Sequence, residues 1–157
     1  MKVAILHGSA ELGMGPFGEV PDGVRELGRL LAEKGHAWAP IAVDEGLESV
    51  LVQVRSFAPD VVFNLTERGR TPGREGLYPA LMNELRIPTT GCDAAALTLV
   101  GDRVVARALA REHGVPTPVA PVVTAATLGQ FLWHAVRFPA LVRPAFQDGM
   151  PVRDPRP

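Results

Sequence analysis

Two short runs limit what this chain can become: Lys2-Val3-Ala4-Ile5-Leu6-His7 and Val61-Val62-Phe63-Asn64-Leu65. Each is almost continuously apolar, without the alternation of a strand that faces water on one side. Such runs suit strands covered on both faces, the condition of a parallel sheet between two layers of helix. The sequence between them has the helical period instead. In "PDGVRELGRLLAEKGH", Val24, Leu27, Leu30 and Leu31 fall on one stripe, with Pro21 suited to the first turn and Gly35 to the C-cap. "AWAPIAVD" reads as a second strand, "GLESVLVQVRSF" as a second amphipathic helix and Pro59–Leu65 as the third strand. A polar loop leads to the helix "LYPALMNELR" and a short extended piece, "IPTTG". Strand and helix in strict alternation predict an α/β fold, a doubly wound parallel sheet with helices on both faces.

The rhythm breaks at "VPTPVAPVV" (Val115–Val123). Before it, "DRVVARALAREHG" predicts a helix capped by Gly114. After it, a strand, a short helix "TLGQFLWHAV" and a final strand "PALVRP" are expected. The predicted organisation is therefore an N-terminal α/β domain over residues 1–115, a short piece of a second domain over 116–149, and a tail over 150–157. The tail, rich in proline and charge, is expected to be disordered. Ala140–Arg143, a strand without sheet partners, is expected to need cover from a second copy or a partner chain.

Composition excludes several function classes. A net charge of −1 over 157 residues gives no footprint for nucleic acid or an anionic membrane surface. No apolar run reaches the roughly 18–20 residues of a membrane helix. The apolar start is too short for a secretion signal, so a cytoplasmic protein is expected. A single cysteine, Cys92, precludes an internal disulfide framework. Asn64-Leu65-Thr66 matches a glycosylation sequon, but without an export signal it is read as chance.

The polar residues that matter lie where strands end. Gly13-Met14-Gly15-Pro16-Phe17-Gly18 fits G-x-G-x-x-G literally. However, the first strand ends near His7, too early for the dinucleotide fingerprint, and Pro16 removes an amide; a flexible glycine loop is the better reading. Asn64, Thr66 and Glu67 sit at the carboxyl end of the third strand and face the same crevice as the first loop, where ligands bind in such folds; a solvated loop is the alternative. Arg68, Arg70 and Arg74 are suited to an anion or simply to solvent. Of four histidines, only His7 sits at a strand end. No histidine has metal-ligand spacing and no serine has a nucleophile-elbow context, so spacing alone yields neither catalytic residues nor a metal site.

Taken together, "KVAILHG", Gly18-Glu19-Val20, "DVVFNLTERGRTPGREGLYPALMNELRIPTTGCDAAALTL", "GDRVVARALAREHGVPTP" and "FPALVRPAFQDG" resemble the D-alanine–D-alanine ligase family of the ATP-grasp superfamily. The resemblance runs nearly to Gly149 and is most specific from Val61 to Pro118. It implies a pre-ATP-grasp, Rossmann-like N-terminal domain followed by the beginning of the ATP-grasp region. It also implies a substrate set: Glu19 on the first loop, orienting an amino acid, with Asn64, Glu67, Glu75 and Gly76 bordering the same ligand. Arg103 and Arg143 stand where the family places phosphate-contacting lysines, and Gln147-Asp148-Gly149-Met150 lacks the serine of its phosphate loop. Arginine is a planar fork rather than a compact charge, so these exchanges are not conservative at a phosphate.

The family reaction uses ATP and magnesium to phosphorylate a carboxylate, which an amine then attacks, in peptidoglycan precursor synthesis. The adenine pocket and magnesium ligands of the family have no counterpart in this sequence. The expectation is an incomplete ligase-like protein, inactive alone and without its own cofactor, whose partner is a small amino acid or dipeptide. The alternatives are a non-catalytic α/β module binding a small ligand or a partner, one piece of a split ligase, and a dinucleotide-binding domain.

Overall fold

A computed structural model of the chain describes residues 1–8, 20–66 and 76–145. Its centre is β1 (Lys2–His7), in which every residue after Lys2 is buried. That burial on both faces accounts for the unbroken apolar run. β2 (Ala37–Ala42) and β3 (Val61–Leu65) flank β1, both parallel to it, in the order β2-β1-β3. In register, Val3 lies opposite Trp38 and Val61, and His7 opposite Ala42 and Leu65. The "IPTTG" stretch runs beside the outer edge of β3. Val62 forms a parallel bridge with Thr89, donates its amide to Pro88 O at 2.8 Å and accepts from Thr90 N at 2.9 Å.

The connections wind the sheet both ways. Helix α1 (Asp22–Glu33) joins β1 to β2, and α2 (Leu47–Phe57) carries the chain back across β1 to β3. Alternation along β1 assigns the faces. Ala4 and Leu6 join a core with Ile41, Val43, Val50, Val54, Val62, Tyr78 and Met82, so α2 and α3 (Leu77–Glu84) cover that side. Val3, Ile5 and His7 point to the other side, which α1 covers. There a Cβ on Gly28 of α1 would lie 2.3 Å from the Trp38 ring, so the helix approaches β2 through a missing side chain. Tyr78 OH donates to Val43 O at 3.2 Å and ties α3 to the end of β2. Pro79 lies in the first turn of α3, where its missing amide leaves no helical bond unmade.

β2 is an outer strand, and it contains Pro40, opposite Ile5. Ala37 N donates to Met1 O at 3.0 Å and Val43 N to His7 O at 2.9 Å, so odd-numbered amides face β1. The proline therefore falls on an outward position and removes no bond from the ladder.

The expected helices α1, α2 and α3 form, and so does α5 (Arg103–Glu112), which is followed by Gly114 at φ +73°. One further helix was not expected: α4 (Ala94–Gly101), capped by Asp93, whose carboxylate accepts from Ala96 N at 2.7 Å. Neither α4 nor α5 has a buried residue. Among the described residues nothing after Met82 is buried.

Beyond α5 the expectation of two strands is corrected. Residues 115–124 form no strand, Ala140–Arg143 forms none, and "TLGQFLWHAV" becomes two 3-10 turns, Leu128–Gln130 and Trp133–Ala135. A strand requires a neighbour to hydrogen-bond. None is present here among the described residues, and Leu141 and Val142 are 57% and 87% exposed. Instead, hydrogen bonds to α5 hold this segment. Arg111 Nε donates to Thr117 Oγ1 at 2.6 Å, and its Nη2 to Pro118 O at 2.8 Å. The phenylalanine–proline bond at Phe138-Pro139 is cis.

Candidate functional site

The strand order locates the site. The chain leaves β1 toward β2 and then returns to β3 on the opposite side, so β1 and β3 flank a topological switch point. Outside the carboxyl ends of such strands the connections diverge and open a crevice. The residues at this end are His7 and Gly8 after β1, Val43 and Asp44 after β2, and Asn64 to Thr66 closing β3.

Asn64 builds the end of β3. Its backbone N donates to Thr90 Oγ1 at 3.2 Å, and its Oδ1 accepts from Thr66 N at 3.2 Å and Thr66 Oγ1 at 2.6 Å. This side-chain mimicry of a backbone turn fixes the exit of the chain and commits the carbonyl oxygen of Asn64 internally. Thr66, 5% exposed, is the buried half of that pair. The Asn-Leu-Thr sequon is thus a structural turn.

His7 is 2% exposed, and its Nδ1 has no hydrogen-bond partner among the described residues. Burial pushes its pKa below the ordinary 6.5, against opposing contributions from the Asp44 carboxylate and the Gly8 backbone. Desolvation prevails, so the ring is neutral near pH 7. Residue order had placed His7 at a strand end; its unsatisfied nitrogen became visible only once the strands on either side were known.

Of the expected substrate residues, Glu19, Glu67 and Glu75 lie outside the described residues, as do Gly13–Gly18 and the arginines Arg68, Arg70 and Arg74. Asn64 is at the crevice. Gly76 precedes α3, and a Cβ there would meet Thr98 Oγ1 at 2.4 Å and the Ala94 carbonyl oxygen at 2.6 Å. That glycine permits α3 and α4 to pack, a structural requirement independent of any ligand.

The two expected nucleotide residues come from segments that meet. Arg103 opens α5, and its backbone N donates to Ala145 O at 2.9 Å, two residues beyond Arg143. The Asp102 carboxylate accepts from Val104 N at 2.8 Å and Val105 N at 3.1 Å. These bonds occupy the first amides of α5, so the helix start offers no ready cradle for phosphate. Any phosphate held here would depend on the guanidinium groups. Among the described residues no three His, Cys, Asp or Glu side chains gather as metal ligands. No helix of the described residues is long and apolar enough to cross a membrane.

Comparison with known proteins bears on this arrangement. No family model matches the chain. A D-alanine--D-alanine ligase of Moorella thermoacetica is 31% identical over 121 residues, covering 75% of this chain and 36% of that protein. A D-alanine--D-alanine ligase of a Ruegeria species is 33% identical over 146 residues, covering 91% of this chain and 44% of that protein. An uncharacterized protein of Sinorhizobium fredii is 31% identical over 140 residues, covering 85% and 39% respectively. The chain thus spans less than half the length of these relatives. With its parallel sheet and its similarity over most of its residues, it is a distant homologue of part of the D-alanine–D-alanine ligases.

Proposed function

We propose that this chain supplies the amino-acid-binding portion of a D-alanine–D-alanine ligase-like site and does not catalyse ligation by itself. The observation that carries this reading is the ligase similarity, which covers 75% of this chain yet 36% of a ligase. Glu19, Glu67 and Glu75 with Asn64 and Gly76 would border a small amino acid or dipeptide. Arg103 and Arg143 would contribute positive charge toward a nucleotide. In a complete enzyme, ATP and magnesium would supply phosphoryl transfer. A ligase role in peptidoglycan synthesis would place the protein in the cytoplasm.

The test is a thermal-shift series with D-alanine, D-alanyl-D-alanine, ADP, Mg-ATP and NAD, paired with a phosphate-release assay. D-Alanine at about 100 times its dissociation constant stabilises by about 2.7 kcal/mol, a clear rise in melting temperature. The chain alone releases no phosphate from Mg-ATP and D-alanine. An unmoved transition with both D-alanine and the dipeptide would overturn the amino-acid reading. Turnover by the isolated chain would overturn the inactivity.

A second reading is favoured by the exposed apolar side chains of the last segment. Val119, Phe138 and Val142 are 92%, 79% and 87% exposed. Such exposure suits a second copy of the chain or a separate polypeptide carrying the remaining ligase portion. Light scattering reports the first and co-expression with that portion the second. A monomer that gains no activity on co-expression would exclude both.

A further inference from the structure

The segment after α5 leaves from one end of that helix and is tied to the other. Gly114, at φ +73°, ends α5, and Pro116 and Pro118 keep the following residues from continuing it. Side chains lean toward the N-terminus of their helix, so Arg111, in the last turn, reaches back along α5. Its guanidinium holds Thr117 Oγ1 at 2.6 Å and Pro118 O at 2.8 Å, which folds the chain back against the helix. At the opposite end Arg103 N donates to Ala145 O at 2.9 Å. A helix of this length spans about 15 Å, which about five extended residues would cover. The 26 residues between Pro118 and Ala145 are therefore slack. Their turns are local, as where Thr124 N donates to Thr127 Oγ1 at 2.9 Å, and Leu132, Leu141 and Val142 are exposed. The attachments at the two ends, rather than core packing, decide where this segment lies.

We propose that residues 115–145 form a strap along α5, and that Arg111 is the positioning residue that closes it, returning Arg143 to the Arg103 end of the helix. Arginine suits the task, because one planar fork holds a hydroxyl and a carbonyl at once, which the single ammonium of lysine does less well. Without this clasp the strap starts from the far end of α5 in no fixed direction, and closing so long a loop on Arg103 costs more entropy. The strap follows from the bonds at the two ends of α5. Only the ligand of Arg103 and Arg143, a nucleotide phosphate, rests on the ligase-like reading.

The test follows the full 15N,13C-labelled chain by nuclear magnetic resonance, with pyrophosphate as the probe ligand. The native chain is expected to show a nuclear Overhauser contact between the Arg103 amide and Ala145. Arg111→Ala is expected to lose that contact and to lower the order parameters of residues 119–145 below about 0.6, while the amides of α5 keep their exchange protection. Thr117→Val, which removes one of the two acceptors and leaves α5 untouched, weakens the contact less, and Arg111→Lys restores part of it. If Arg111→Ala fails to fold, Thr117→Val decides. A native chain without the contact, or a contact that survives Arg111→Ala, overturns the proposal. Protection lost throughout α5 in Arg111→Ala also overturns it, since the arginine would then support the helix rather than the strap. Arg111→Ala is expected to weaken pyrophosphate binding by about tenfold, the size of one lost hydrogen bond between charged groups. Pyrophosphate bound equally well by both chains overturns the placing of Arg143. A native chain that binds no pyrophosphate, but loses the strap contact in Arg111→Ala, sustains the strap and overturns the nucleotide reading.

Discussion

Gly28 shows how one absent side chain positions a helix. A methyl group there would have to displace the Trp38 ring, 2.3 Å away, or lift α1 from β2. Alanine normally stabilises a helix interior relative to glycine by roughly 0.5–1 kcal/mol. Here overpacking, at about 1–3 kcal/mol, opposes and exceeds that gain. Gly28→Ala is therefore expected to lower stability, measured by urea denaturation, and Gly28→Val to lower it further. Neither the glycine nor the tryptophan announces this contact in the sequence, because the two meet only after β2 docks beside β1. His7 is similar: its place at a strand end was legible, but its unmatched nitrogen depends on neighbours far away in the chain. Asn64 was legible as a polar group at the end of the sheet. Its internal bonds to Thr66 were not, since an Asx turn and a solvated loop share the same composition.

At the scale of elements, legibility followed amphipathicity. β1 and β3 are unbroken apolar runs, α1 and α2 repeat with the helical period, and each formed where its pattern placed it. α4 escaped notice because "AAALTLVG" has no polar stripe to set against an apolar one; only Asp93, its cap, marks it. The strands expected beyond residue 116 failed for the converse reason: β-branched residues give a propensity but no partner, and sheet structure is decided by pairing. α5 rests on local chemistry rather than core burial, which makes its cap measurable. Asp102→Ala removes the acceptor for Val104 N and Val105 N. The loss is expected to be about 1 kcal/mol, confined to this helix. Hydrogen exchange of residues 103–112 should accelerate while the amides of β1 keep their protection. Equal acceleration in both would mean that α5 unfolds with the core.

For the whole molecule, stability and exposed apolar surface are segregated along the chain. Every buried side chain of the described residues occurs by Met82, whereas the segment after α5 holds its apolar groups in solvent. A chain ending at Gly114 is thus expected to melt within about 4 °C of the full chain, since a change of 1 kcal/mol moves the transition of a domain this size by about 2–4 °C. Calorimetry of the two chains decides, and a much larger drop would show that the last segment carries stability of its own. The sheet also has two unlike borders. On the β3 side, Thr89 already lies against Val62. On the β2 side, Pro40 leaves the middle of the exposed strand without an outward donor. A stray strand from another molecule can find acceptors there but no continuous ladder, so the protein resists edge-to-edge polymerisation on that border, and any strand that enlarges the sheet will be added next to β3.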